Sequence, residues 1–250
     1  MVSRKSPREI ELMRAAGRVV AEALDAVTKT VAVGVTTDAL DRLVDRLILE
    51  RGGTPAFKGY RGFPRSICAS VNEEVVHGIP GPRPLAAGDI ISVDVGVRYA
   101  KYFADAAVTL PIGSISKEAQ RLLAVTQEAL RLALAVVKPG SRVSDISRTV
   151  QQFVEKNGYS VVRRYTGHGI GRKMHEDPQV PNFVSRETLE NDEVLQPGMT
   201  LAIEPMVNQG TFDTDVLKNK WTVVTKDRKL SAHFEHTVAV AQNGVDILTL

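Results

Sequence analysis

A short unit that occurs twice, with an acidic residue at the same place each time, constrains this chain more than any other feature. Leu85-Ala86-Ala87-Gly88 leads into the run IISVDV, and Leu195-Gln196-Pro197-Gly198 leads into TLAIEP, so Asp94 and Glu204 each follow a glycine by six residues. Further on, Asp105-Ala106-Ala107-Val108-Thr109-Leu110 matches Glu235-His236-Thr237-Val238-Ala239-Val240. Short apolar runs bounded by Gly and Pro are strands, and strand side chains alternate between faces. Asp94 therefore shares a face with Ser92 and Gly96, Glu204 with Thr200 and Ala202, Asp105 with Ala107 and Thr109, and Glu235 with Thr237 and Ala239. Each acid faces small neighbours while bulky apolar residues point the other way. A reversal near Tyr99-Ala100 predicts that Asp94 and Asp105 oppose each other across a hairpin, although no Asn-Gly or Asp-Gly marks the turn.

Helices repeat on the same plan. Ser6-Pro7-Arg8-Glu9 is a capping box with proline in the first turn, followed by an apolar stripe at Ile10, Met13, Gly17, Val20, Leu24 and Val27. A second helix runs from about Asp38 to Glu50, and Gly52-Gly53 ends it. Ser116 opens a third that carries Leu122, Val125, Leu130, Leu134 and Val137 until Pro139-Gly140, and Ser144 opens a fourth with Ile146, Val150 and Phe153. The expectation is one α+β domain over residues 1–250, made of two related halves, about 1–112 and 113–250, each with antiparallel strands and two helices.

Burying four carboxylates without compensation costs several kcal/mol each, and crowding them adds repulsion, so they must protonate or meet cations. Flanking strand positions supply no paired basic residues. Two divalent cations would balance four carboxylates, and an oxygen-rich shell with one imidazole suits Mn, Fe, Co or Zn. His168 in GHGIG supplies the imidazole, its flanking glycines predicting a sharp turn with room beside the ring. No GxGxxG unit, HExxH helix or GxSxG elbow is completed, which removes nucleotide, mononuclear zinc and serine-hydrolase readings.

The formal net charge is +3, with 32 basic residues interspersed among 29 acidic ones, so no DNA-binding block is present. One cysteine, Cys68, excludes an internal disulfide framework and suits a reducing cytoplasm. The first segment lacks the apolar stretch of a secretory signal, and no run reaches the roughly 18 apolar residues of a membrane span. A cytoplasmic monomer without membrane attachment is expected.

The stretches SVNEEVVHGIP (70–80), GDIISVDVG (88–96), FADAAVTLP (103–111), YTGHGIGRKMHEDPQVPN (165–182), PGMTLAIEPM (197–206) and FEHTVAV (234–240) resemble the methionine aminopeptidases of the short bacterial type I. That resemblance implies the pita-bread fold, two pseudo-symmetric halves around a dinuclear metal site. It implies Asp94, Asp105, His168, Glu204 and Glu235 as ligands, with Asp105 and Glu235 bridging, and a water shared by the metals as nucleophile. It further implies proton transfer by Glu204, contact of His77 with the scissile amide nitrogen, and donation from His175 to the carbonyl oxygen. Tyr60, Phe63, Cys68 and Trp221 would line a pocket for methionine, with Phe57 and Met174 at more variable positions. Lys173-Met174 replaces the Gly-Phe common in relatives, which leaves the ligands untouched and alters the pocket.

Prolidases and X-Pro aminopeptidases share the ligand set but usually carry a large N-terminal domain, and type II relatives insert a long segment where Glu204 and Glu235 stand only 31 positions apart. A non-catalytic binding protein of this fold would be expected to have lost ligands. Substrates would be N-termini of nascent polypeptides, with transient ribosome contact through Arg163, Arg164, Lys218, Lys220, Lys226, Arg228 and Lys229.

Overall fold

The computed structural model describes residues 2–250. Four long helices pack against one face of a nine-stranded antiparallel sheet: α1 (Pro7–Thr30), α2 (Thr37–Glu50), α3 (Lys117–Ala135) and α4 (Val143–Lys156). The short α5 (Arg186–Glu190) was not anticipated from the sequence. Ser6 caps α1 and Glu9 closes the box onto the Ser6 backbone, as the sequence predicts. The start of α4 differs. Arg142 is its cap, and Ser144 lies inside the first turn, where Asp192 accepts from its N–H at 2.9 Å and from its Oγ at 2.7 Å. A remote carboxylate thus does the capping that the local pattern assigned to serine. Val137 lies two residues past the end of α3 yet is buried in the same core.

The central sheet runs in the spatial order Thr54–Pro55, Ile90–Tyr99, Tyr102–Pro111, Glu235–Ala241, Thr200–Ile203, Gly167–Gly169 and Glu176–Val180. Ile67–Val71 pairs with Ile90–Tyr99, and Gly244–Ile247 pairs with Glu235–Ala241. Behind the first half, Ile91, Val93, Val95 and Val97 are wholly buried with Val20, Val27, Leu40, Val44 and Ile48 of α1 and α2. Behind the second, Leu201, Ile203, Val238 and Val240 pack with Leu122, Leu130, Ile146 and Val150 of α3 and α4. At about 1.5–3 kcal/mol per fully buried aliphatic side chain, this back face fixes which strand residues must turn forward. The arrangement is α+β and has the form of the pita-bread fold.

The hairpin register corrects one expectation. Tyr99 pairs with Tyr102, so the turn is Ala100-Lys101, with φ of 46° and 72°. Both central residues have the positive φ of the tight turn whose twist matches the strands, without the Asn or Gly that usually signals it. Asp94 consequently faces Ala107, and Asp105 faces Gly96. The two acids lie on the same face as diagonal neighbours rather than directly opposed.

Candidate active site

Five adjacent strands bring the five sequence-predicted ligands to the front face. Asp94, Ala107 and Glu235 lie in one cross-strand row, Asp105 sits diagonally beside it, and His168 pairs with Ala202 two residues before Glu204. Glu204 stands one residue past the end of its strand. His168 Nε2 lies 3.6 Å from Asp105 Oδ2 and 3.7 Å from Glu204 Oε1. Asp105, His168 and Glu235 offer atoms all within 4.8 Å of one another. The glycines beside His168 do not make the sharp turn the sequence suggested. Gly167 and Gly169 are strand residues, where an added Cβ would stand 2.4 Å from Ala202 O and 2.2 Å from Asp177 O. Their role is to let neighbouring backbones close in around the imidazole.

Electrostatics define what the cluster can hold. Burial pushes Asp94, Glu204 and Glu235 well above the usual carboxylate range, and their mutual repulsion, with Asp105 as a shared partner, adds to it. Burial also raises Asp105, to about 6, with the Thr237 hydroxyl, which donates to Oδ1 at 2.8 Å, holding it down. Among the described residues no Lys or Arg pairs with any of the four, whose only ion-pair neighbours are His168 and His233. Asp94 Oδ1 and His233 Nε2 are buried without a hydrogen-bond partner. His168 Nδ1 donates to the Gly169 carbonyl at 2.9 Å, which leaves the Nε2 lone pair aimed at the acids, and burial lowers its pKa to about 4. A neutral imidazole with an oriented lone pair beside charge-deficient carboxylates is the donor set of a divalent-cation site.

One cavity of about 320 Å³ is lined by all thirteen residues singled out from the sequence. Beside the acids, Phe57, Tyr60, Phe63, Cys68, Met174 and Trp221 belong to one apolar cluster, with the Trp221 ring edge-on to Phe63 at 5.2 Å. Tyr60 Oη and His175 Nδ1 are 2.9 Å apart with the rings stacked at 5.4 Å. His77, at φ 58°, meets the Trp221 and Tyr165 rings edge-on. Burial lowers both histidines to about 4. A wider hollow of about 660 Å³ adjoins the cavity and shares Arg61, Thr166, His168 and His175 with it.

His233 and Tyr165, which the sequence reading does not single out, also line the cavity, as does Arg164, which that reading places only among the basic surface residues. His233 Nε2 lies 3.7 Å from Glu204 Oε2. Its signal was present: it precedes Glu235 by two residues in an apolar stretch, and side-chain alternation puts it on the same face.

Fold and acid cluster together describe a metal-dependent hydrolase, and the comparisons place it. The profile of metallopeptidase family M24 matches residues 11–242, and the chain belongs to that family. Among its curated relatives, methionine aminopeptidase 1 of Bacillus subtilis is 49% identical, covering all of this chain and 99% of the relative. The methionine aminopeptidase of Escherichia coli K12 is 47% identical, covering all of this chain and 94% of that one. The crystal structure of a Thermotoga maritima methionine aminopeptidase superposes with a TM-score of 0.96 at 46% identity, covering all of this chain and 99% of that one. A prolidase from Pyrococcus furiosus, 22% identical with a TM-score of 0.81, shares the fold, and this chain spans 65% of its length. The protein is a peptidase, and among the described residues no helix is long and apolar enough to cross a membrane.

Proposed function

We propose that this M24 peptidase removes the N-terminal methionine from nascent polypeptides in the cytoplasm, as one catalytic domain whose two halves, about 1–112 and 113–250, meet at the acid cluster. The observation that carries the reading is the convergence of Asp94, Asp105, Glu204, Glu235 and His168 with no Lys or Arg paired to them among the described residues. Two divalent ions, Mn, Fe, Co or Zn, fit that donor set, and the charge they bring balances four carboxylates. When bound, such ions polarise a scissile carbonyl and acidify the attacking water.

The chain's own groups do the rest. In the tautomer where Tyr60 donates to His175 Nδ1, the proton of that neutral ring sits on Nε2 and is offered to the carbonyl oxygen as negative charge develops there. His77, neutral at working pH and held among aromatic edges, accepts from the scissile amide N–H. Glu204, a carboxylate in the cavity beside His233 and His168, takes a proton from the attacking water and passes it to the leaving amine. The Phe57, Tyr60, Phe63, Cys68, Met174 and Trp221 end of the cavity receives the methionine side chain, whose sulfur contacts aromatic edges favourably. Exposed Arg163, Arg164, Lys218, Lys220, Lys226, Arg228 and Lys229 provide ribosome contact for a monomeric enzyme.

Hydrolysis of Met-Ala-Ser against X-Pro peptides, with Mn, Co or Fe added, tests the reading. Release of methionine alone supports it. Preference for X-Pro substrates would replace it with a dipeptidase of the same fold, and no cleavage with any metal would leave a binding protein.

A further inference from the structure

Residues just ahead of α1 grip the segment that carries His175. Lys5 Nζ lies 2.6 Å from Glu176 Oε2, with the lysine side chain 5% exposed and the glutamate 13%. Ser3 Oγ donates to the same oxygen at 2.9 Å, and the Lys173 N–H donates to Oε1 at 3.0 Å. The Lys5 N–H is itself anchored on the Gly198 carbonyl at 2.6 Å. At the other end of the segment Arg172 donates to Glu9 Oε1 at 3.2 Å. Gly171 makes the approach possible, since a Cβ there would stand 2.3 Å from Lys5 Cε.

A buried ion pair is a poor source of net stability, because desolvation offsets the attraction, so its value lies in geometry. Glu176 follows His175 directly, and fixing its carboxylate on three sides fixes the backbone from which the imidazole projects. Among the described residues the one hydrogen bond to that ring is with the Tyr60 hydroxyl. We propose that Lys5 and Glu176 are positioning residues for His175: the segment 3–9 works as a strap that sets the imidazole against the substrate carbonyl. This rests on the carbonyl-donor role assigned to His175 above.

The test is steady-state hydrolysis of Met-Ala-Ser by the metal-loaded full chain, comparing wild type, Lys5→Met, Glu176→Gln, His175→Ala and the two double variants. The carbonyl bond tightens only in the transition state, so Lys5→Met and Glu176→Gln each lower kcat about tenfold while KM stays within about twofold. In the His175→Ala background the same changes lower kcat by less than about twofold, because the group they orient is gone. Ser3→Ala, which removes one exposed donor and threatens folding least, lowers kcat about two- to threefold with an unchanged melting temperature. Tenfold losses that persist without His175, or unchanged kcat in Ser3→Ala and both strap variants, would overturn the positioning role alone. Wild-type kcat in His175→Ala would overturn the assigned role of His175 and the strap with it.

Discussion

At Asp105 two demands oppose each other: burial drives the carboxyl towards its neutral form, and the Thr237 hydroxyl holds it ionised. Its folded pKa of about 6 lies above the ordinary aspartate value of 3.8, so the stability it contributes to the metal-free protein is present below pH 3.8 and lost as pH rises through 6. Cation binding must displace that proton, so affinity falls as pH drops through about 6 and binding at pH 6 releases protons. Calorimetry in two buffers of different ionisation enthalpy reads the release, and buffer-independent heats would contradict it. Thr237→Val removes the stabilising hydroxyl and weakens divalent-ion affinity about 10- to 100-fold, measured by competition with a chelating dye. The histidines shift the other way. In metal-free protein His168 and His175 titrate near 4, so imidazole signals followed by NMR stay neutral at pH 6, whereas midpoints near 6.5 would refute the burial argument.

At the scale of elements, the strands that carry the ligands depend on backbone features of opposite kinds. Gly169→Ala forces a Cβ onto the Asp177 carbonyl, and a loss of about 1–3 kcal/mol in urea denaturation is expected from such overpacking. Lys101→Gly relieves a residue held at φ 72° in the hairpin turn and raises stability by up to about 1 kcal/mol. A lower melting temperature in Lys101→Gly would contradict the turn assignment. The two positions also show what the sequence could carry. Alternation puts Asp94, Asp105 and Glu235 on one face, because the apolar residues behind them leave no other choice, and Glu204, one residue beyond its strand, reaches the same cavity. The register across the hairpin was not legible, since Ala100 and Lys101 hold positive φ without the residues that advertise it. Likewise, glycines flanking His168 mark close strand packing or a turn equally well, and only the strands that approach them from distant parts of the chain decide between the two. The cap of α4 lay out of reach because it comes from Asp192, 48 residues beyond the serine it holds.

Across the whole molecule, the cluster joins two cores that are otherwise covered by different helix pairs. Asp94 and Asp105 come from the first half, and His168, Glu204 and Glu235 from the second, so bound cations would tie the halves together. Removing metal from protein loaded at about a hundredfold excess over Kd forfeits about 2.7 kcal/mol, which lowers the melting temperature by roughly 5–10 °C. Equal melting curves with and without chelator would show that the acids need no cation to coexist.

The chemistry of the cavity depends on divalent ions neutralising the buried acids. An anomalous-difference map from crystals grown with Mn tests it most directly. Two peaks are expected inside the cavity, enclosed by Asp94, Asp105, His168, Glu204 and Glu235. A cavity without peaks, with Mn bound only on the outer surface, would contradict it.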